Sequence, residues 1–278
     1  MPRHDTQGGD RRAEASNPIG VFDSGLGGLT VVRALMNRLP SESILYFGDT
    51  ARVPYGVKSV DTISGYACQI TDFLLQRGVK LLIIACNTMA AVAYQAVATR
   101  SPVPVLDVIG AGAAAAVKAT QTGAVGVIGT PATIHSHAYT RAIQALDAQV
   151  RTYSQACPLF VPLVEEGWLD HPVTRLTAAE YLKPLLAEQI DALVLGCTHY
   201  PLLKPLLQEA AGPGIVLVDS AGAMAEITAD LLTGSRLEAP HQANPDHHFF
   251  VTDRPYRFQA IGEQFLGRPM NHLEIIRW

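Results

Sequence analysis

Short apolar runs alternate along the chain with longer segments of mixed polarity. The runs at residues 19–22 and 79–85 are almost entirely apolar and rich in β-branched side chains, which favours strands buried on both faces. Segments such as residues 61–77 place their apolar side chains with the period of a helix, as expected for one face packed on a core. This alternation is typical of an α/β fold with parallel sheets.

The same criteria give expected elements for most of the chain. We expect strands at residues 19–22, 43–47, 79–85, 103–107, 193–195 and 215–219, and an edge strand at 249–251. We expect helices at residues 31–38, 61–77, 87–100, 110–120, 176–189, 221–232 and 258–265. Residues 157–167 contain Pro158 and Pro162, which argue against a central strand or a helix there.

One stretch of the sequence occurs twice. An apolar run and a small residue lead to Cys86-Asn87-Thr88 in one copy and to Cys197-Thr198-His199 in the other. Residues 19–24 also match 125–130, and residues 103–107 match 215–219. The three matches share an offset of about 110 residues, which indicates an internally duplicated α/β unit.

Both cysteines stand where a predicted parallel strand ends, and each is followed by a predicted helical segment. Ligands of open α/β sheets bind at this carboxyl edge. We therefore predict two similar parallel-sheet (Rossmann-like) domains with one active site in the cleft between them. Residues 18–111 and 223–278 are expected to form the first domain, with Cys86, and residues 112–222 the second, with Cys197. Residues 1–17 are polar and are expected to be a disordered N-terminal extension.

Composition excludes several classes of protein. The chain has 278 residues, 48% of them hydrophobic, and a net charge of −4, unlike the basic surface of most nucleic-acid-binding proteins. No apolar run approaches the roughly 18 residues that span a bilayer, and the N-terminus lacks the apolar core of a secretory signal. The four cysteines are too few for a disulfide scaffold and fit a reducing compartment. We expect a cytoplasmic protein that binds neither nucleic acid nor membrane.

Four kinds of chemistry fit a pair of cysteines in one cleft. A redox disulfide lacks the usual CxxC motif, and a zinc site with Cys86, Cys197 and His199 lacks a fourth ligand, so no metal is expected. A cysteine nucleophile with His199 as its base leaves the other copy unexplained. The fourth hypothesis places the two thiols on opposite sides of one carbon atom. One thiol then removes a proton from that carbon, and the other delivers a proton to it.

Polar side chains near the two cysteine motifs complete the candidate site. Asp23 ends the first strand and is expected near Cys86, where its charge disfavours a thiolate. It is followed by a Gly-rich turn that can present backbone N–H groups to an anion. A loop with Pro54, Tyr55 and Gly56 can hold an aromatic ring and backbone amides over a cleft. Hydroxyl and amide groups that could hold carboxylates belong to Ser24, Asn87, Thr88, Thr130 and Thr198.

Together these segments resemble the signature motifs of the bacterial glutamate racemases, part of a wider aspartate/glutamate racemase superfamily. The resemblance extends in order from about Pro18 to Arg268 and departs at Met89, where the family usually carries serine or alanine. The motifs that carry it are Asp23-Ser24-Gly25-Leu26-Gly27-Gly28, Gly48-Asp49-Thr50-Ala51-Arg52-Val53-Pro54-Tyr55-Gly56, Ala85-Cys86-Asn87-Thr88 and Gly196-Cys197-Thr198-His199-Tyr200-Pro201-Leu202, with 157–165 as a fifth.

The resemblance implies a cofactor-independent interconversion of L- and D-glutamate that supplies D-glutamate for peptidoglycan. It implies Cys86 and Cys197 as the two acid/bases, Cys86 on the D-face and Cys197 on the L-face, assisted by Asp23, His199 and Glu165. It further implies a homodimer that binds glutamate as its small-molecule substrate. The implied substrate-binding residues are Asp23, Ser24, Pro54, Tyr55, Gly56, Asn87, Thr88, Thr130, Thr198 and His199.

Overall fold

The computed structural model describes residues 14–240, 245–253 and 258–278. The strands within these ranges are β1 Ile19–Asp23, β2 Ile44–Gly48, β3 Leu81–Ile84, β4 Val105–Asp107, β5 Ala124–Gly129, β6 Arg151–Ala156, β7 Ala192–Gly196, β8 Val216–Asp219, β9 His247–Val251 and β10 Leu273–Ile275. The helices are α1 Leu29–Arg38, α2 Val60–Gln76, α3 Asn87–Arg100, α4 Val108–Ala119, α5 Pro131–His135, α6 Ala138–Leu146, α7 Phe160–Glu165, α8 Pro172–Ala187, α9 Lys204–Ala211, α10 Ser220–Ser235 and α11 Phe258–Leu266. Single 3₁₀ turns lie at Thr50–Arg52, Tyr55–Val57 and Tyr200–Leu203.

The strands form two separate sheets in which all pairings are parallel. The first sheet has the order β10-β9-β2-β1-β3-β4, and the second has the order β6-β5-β7-β8. The central strands β1, β3, β5 and β7 are buried along their whole length. Helices on both faces of a parallel sheet account for this burial and for the apolar runs in the sequence.

The two sheets repeat one topology. The order β2-β1-β3-β4 in the first sheet recurs as β6-β5-β7-β8 in the second, so β1 corresponds to β5 and β3 to β7. The predicted duplication into two similar parallel-sheet halves is confirmed. Cys86 and Cys197 follow the equivalent strands β3 and β7, as the sequence repeat requires.

Two aspartates show that the repeat extends to the helix caps. Asp107 ends β4, and its Oδ1 accepts hydrogen bonds from the backbone N–H groups of the first turn of α4, at 2.8 and 3.0 Å. Asp219 ends β8 and caps α10 in the same way, at 2.9 and 3.3 Å. A carboxylate at this position satisfies N–H groups that have no partner within the helix. The matched aspartates in the sequence are therefore capping residues.

Helices α4 and α10 join the two halves. The chain passes through α4 from the first sheet to the second and returns through α10, and these helices pack against each other and against strands of both sheets. The expected domain boundaries, 111/112 and 222/223, fall inside these two helices. Their exact positions stay a prediction.

Three local expectations differ from the structure. β9 lies between β2 and β10, so the expectation of an edge strand at 249–251 was wrong; the short β10, which the pattern did not predict, covers it. Residues 160–165 form α7 despite Pro162, because a proline at the third helical position removes an N–H that has no partner in the first turn. Cys197 is followed by a 3₁₀ turn before α9 begins, not directly by an α-helix.

The expected N-terminal extension is described only in its last residues. Residues 1–13 lie outside the described ranges. Residues 14–17 form a turn closed by a hydrogen bond from the Asn17 N–H to the Glu14 carbonyl. The carbonyl of Ala15 accepts a hydrogen bond of 2.6 Å from Nζ of the buried Lys80, which fixes this turn against the start of β3.

Candidate active site

A cleft of about 410 Å³ lies between the carboxyl ends of the two sheets. Its walls include residues that follow β1, β3, β5 and β7, which are equivalent strands of the two halves. Most predicted site residues line it, namely Ser24, Pro54, Tyr55, Gly56, Cys86, Asn87, Thr88, Thr130, Glu165, Cys197, Thr198 and His199. Asp23 is the predicted residue that does not.

Cys86 belongs to the first half, where it follows β3 and is the N-cap residue of α3. Its Sγ lies 3.5 Å from the Met89 N–H, which donates to it, and 3.5 Å from Ser24 Oγ. Burial, followed by the negative charge of Asp23, raises the pKa of the Cys86 thiol to about 12, although the contacts with Ser24 and Met89 oppose the shift. The thiol is therefore protonated at neutral pH. Met89 is fully buried. Its backbone N–H makes the hydrogen bond to the thiol, so this bond does not depend on which side chain stands at position 89.

Asp23 lies behind the cleft wall. It is fully buried, and its Oδ2 accepts a hydrogen bond of 3.0 Å from the Gly25 N–H. Its Oδ1 has no hydrogen-bond partner among the described residues. Burial raises the pKa of this carboxyl, against the opposing charge of His199 and backbone N–H groups. Asp23 thus acts on Cys86 through its charge, and its direct contact with a substrate stays a prediction.

Cys197 belongs to the second half and stands at the end of a short chain of polar groups. Its Sγ lies 3.9 Å from His199 Nδ1, and His199 Nε2 lies 3.0 Å from Glu165 Oε1. Burial alone would lower the pKa of His199, but the hydrogen bonds and charges of Cys197 and Glu165 raise it to about 10. The protonated ring of His199 therefore lies between the Cys197 sulfur and the Glu165 carboxylate. The two thiols therefore differ in their surroundings, although both are almost fully buried.

Both halves hold the His199 ring in place. Phe265 of α11, from the first half, packs edge-on against it, with ring centroids 5.3 Å apart. The turn between β1 and α1 approaches so closely that a Cβ at Gly27 would lie 2.1 Å from Thr198 Oγ1 and 2.7 Å from His199 Nδ1. The expected anion-binding turn therefore contributes, at Gly27, a close backbone contact that only glycine permits.

Hydrogen bonds beside the cleft join the two halves. Thr88 Oγ1 and Thr130 Oγ1 lie 3.1 Å apart, so two predicted substrate-binding hydroxyls already meet. Tyr139 of α6 donates a hydrogen bond of 2.7 Å to Asn87 Oδ1. Nδ2 of Asn87 is buried without a partner among the described residues. Tyr139 was not predicted, because nothing in the sequence of α6 distinguishes it from a core tyrosine.

The loop with Pro54, Tyr55 and Gly56 is held from behind by Asp49. The Tyr55 hydroxyl donates to Asp49 Oδ2, so the proton of this cleft-lining residue is bound by a carboxylate that does not line the cleft. Thr252 donates to Asp49 Oδ1 at 2.9 Å, and Arg52 forms an ion pair with Asp49 at 2.6 Å. Asp49 belongs to the motif at residues 48–56, and the sequence alone predicts no role for it. Its partner Thr252 lies some 200 positions away in the sequence, a contact that local patterns do not reveal.

The described ranges contain no group of three or more His, Cys, Asp or Glu side chains arranged to hold a metal ion. Within the same ranges, no helix is long and apolar enough to cross a membrane. The cleft-lining residues also include no lysine or arginine. The side chains that line the cleft supply two thiols, one imidazole, one carboxylate and neutral hydrogen-bonding groups.

Comparison with known proteins places the chain in a family. Residues 28–228 match the family model of Asp/Glu/Hydantoin racemase. The chain is 69% identical to glutamate racemase of Syntrophus aciditrophicus over 94% of its own length and 97% of the relative. It is 57% identical to glutamate racemase of Neisseria meningitidis serogroup A, over 93% of this chain and 96% of that one.

Solved structures agree with this placement. Glutamate racemase of Francisella tularensis, in complex with D-glutamate, superposes with a TM-score of 0.89 at 43% identity, covering 94% of this chain and 98% of that one. Glutamate racemase isoform RacE1 of Bacillus anthracis superposes with a TM-score of 0.91 at 38% identity, covering 95% and 98%. The chain belongs to the Asp/Glu/hydantoin racemase family and, within it, to the glutamate racemases.

Proposed function

We propose that this chain interconverts L- and D-glutamate without a cofactor, using Cys86 and Cys197 as the two acid/bases. The observation that carries the proposal is one cleft with a thiol from each of two duplicated halves. Racemisation removes a proton from one face of the α-carbon and returns one to the opposite face. Two thiols contributed by opposite halves suit that reaction without motion of the substrate.

The geometry needed is specific. Each sulfur must come within roughly 3–3.5 Å of the α-carbon in the reactive complex. The two sulfurs are then expected about 6–8 Å apart, far beyond the S–S bond length of ~2 Å. A redox disulfide between Cys86 and Cys197 is incompatible with that separation.

The surroundings of the two thiols suit different roles when L-glutamate is the substrate, with Cys197 as the base and Cys86 as the acid. The imidazolium of His199 stabilises a Cys197 thiolate, which takes the α-proton of L-glutamate. Cys86, whose raised pKa of about 12 keeps it protonated, delivers a proton to the other face and yields D-glutamate. In the reverse direction Cys86 must first lose its proton; its thiolate then takes the α-proton of D-glutamate, and a protonated Cys197 delivers one to the other face. Glu165 supports His199 from the outer end of the chain of polar groups.

Neutral groups would bind the substrate. The cleft presents Ser24, Asn87, Thr88, Thr130 and Thr198 among its lining residues, and their hydroxyl, amide and backbone N–H groups can donate to carboxylates. Groups spaced for the longer side chain of glutamate would lose partners with aspartate, which typically costs a few kcal/mol. The Francisella tularensis structure with D-glutamate supports the choice of substrate.

The test is an assay of the purified protein after dialysis against a chelator. We expect it to racemise L-glutamate with no added cofactor and to turn over L-aspartate far more slowly. Equal turnover of the two acids would point to a broader amino-acid racemase. No turnover of glutamate, with the protein folded, would refute the proposal.

A further inference from the structure

Tyr139 connects the second half of the molecule to the edge of the site in the first half. It lies in the first turn of α6 and is buried among α3, α4 and the end of β7. A Cβ at Gly112 or Gly196 would lie only 3.0 Å from its ring or hydroxyl. The two glycines therefore leave room for this ring in one position, with its hydroxyl directed at Asn87.

The hydroxyl of Tyr139 has one proton to donate and two acceptors within reach. Asn87 Oδ1 lies at 2.7 Å, whereas the Val108 carbonyl oxygen lies at 3.5 Å. Burial, followed by the charge of Asp107, raises the pKa of the Tyr139 hydroxyl, and a hydrogen bond with the Ser220 side chain opposes that rise, as expected of a donor to a phenol oxygen. The proton of Tyr139 is therefore directed to Asn87.

This bond fixes which end of the Asn87 side chain faces the tyrosine. An asparagine amide has an acceptor oxygen and a donor nitrogen of nearly the same shape. With the oxygen committed to Tyr139, the polar atom of the amide that remains is Nδ2, which is buried and has no partner among the described residues, in a residue that lines the cleft. Leaving a buried donor unpaired is unfavourable, and an occupant that accepts a hydrogen bond would relieve it.

We propose that Tyr139 is a positioning residue that holds the Asn87 amide with its NH₂ group toward the cleft, so that it donates to a carboxylate of the substrate. The identity of that carboxylate rests on the proposed function. Without the tyrosine hydroxyl the amide is free to turn and present its oxygen, which repels a carboxylate. Tyr139 thus acts on binding through Asn87 and does not touch the reacting atoms.

The test is a double-mutant cycle with Tyr139→Phe, Asn87→Ala and the double variant. We expect Tyr139→Phe to raise KM for both enantiomers roughly three- to tenfold, the range of one neutral hydrogen bond. Its kcat should stay within about twofold, because a contact made equally in ground and transition states affects binding alone. In the Asn87→Ala background, Tyr139→Phe should have almost no further effect on KM.

Calorimetric titration of the four proteins with glutamate gives a second readout that does not need turnover. Tyr181→Phe is the matched control, because the Tyr181 hydroxyl bonds only the Leu159 N–H among the contacts described and does not line the cleft. It should leave KM and the Kd for glutamate unchanged.

Three results would overturn the inference. The first is an unchanged KM and Kd in Tyr139→Phe. The second is the same fold-loss with Asn87 present and absent, which would indicate a packing effect. The third is a loss confined to kcat. A wild-type protein that binds glutamate but does not racemise it would refute the proposed function and leave the cycle in Kd to decide the role of Tyr139.

Discussion

At the scale of single residues, His199 has the most informative titration. Its pKa is raised from 6.5 to about 10 by Cys197 and Glu165, against the effect of burial. A group that binds its proton more tightly in the folded protein stabilises the fold while it is protonated there. The contribution is complete below about pH 6.5 and is lost as the pH rises through about 10.

We therefore predict that the free energy of unfolding of the wild-type protein falls between about pH 7 and about 10 by more than that of His199→Asn. Urea denaturation at several pH values measures both curves. His135→Asn, which changes an exposed histidine, is the control and should follow the wild type. Parallel curves for wild type and His199→Asn would mean that His199 is not held protonated in the folded protein.

At the scale of elements, the contact between the β1–α1 turn and the residues after β7 determines where His199 lies. Gly27 leaves no space for a Cβ beside Thr198 and His199. The atoms that would have to move belong to the side chains of Thr198 and His199, which line the cleft next to Cys197. A substitution here should disturb the site before it disturbs the fold.

We predict that Gly27→Ala lowers kcat/KM by roughly 10- to 100-fold, the scale at which a displaced catalytic group acts. The thermal midpoint should change by only a few degrees. Gly65→Ala in α2 is the control, because a Cβ there meets nothing within 4 Å, and it should be fully active. Normal activity of Gly27→Ala would show that the contact does not position His199.

Sequence patterns predict helices and strands well where the hydrophobic periodicity is strong. They predict poorly the features that depend on contacts between residues far apart in the sequence. The buried parallel strands and the duplication follow from apolar runs and repeated motifs, and both are confirmed. The place of β9 within the sheet depends on β10, whose three residues carry little pattern. Tyr139 and Asp49 acquire their roles from partners far along the chain, so their importance becomes visible only after folding.

At the scale of the whole molecule, a buried ion pair joins four segments of the first half. Lys80 Nζ lies 2.6 Å from Glu42 Oε2, and both side chains are almost fully buried. The same ammonium donates to the carbonyls of Ala15 and Leu237, at 2.6 and 2.7 Å, and Glu42 Oε1 accepts from the Ala239 N–H at 2.7 Å. The pair therefore anchors the start of the described chain and the segment that follows α10.

We predict that Lys80→Met lowers the free energy of unfolding by about 3–5 kcal/mol, because it leaves the Glu42 carboxylate buried without its partner. Lys80→Met combined with Glu42→Gln should recover part of that loss. Equilibrium urea denaturation measures both, and Arg38→Met, which breaks the exposed pair with Glu226, should cost less than about 1 kcal/mol. If Lys80→Met lowers the free energy of unfolding by less than about 1 kcal/mol, the Lys80–Glu42 pair does not contribute to stability in the way proposed.

In the proposed mechanism two different thiols handle the proton on the two faces of glutamate. The decisive experiment converts L-glutamate in heavy water and stops the reaction early. We expect the D-glutamate formed to carry deuterium at its α-carbon, because Cys86 delivers a hydrogen exchanged with solvent. The remaining L-glutamate should carry almost none. Early D-glutamate that retains the hydrogen of the substrate would mean that one base serves both faces and would contradict the account.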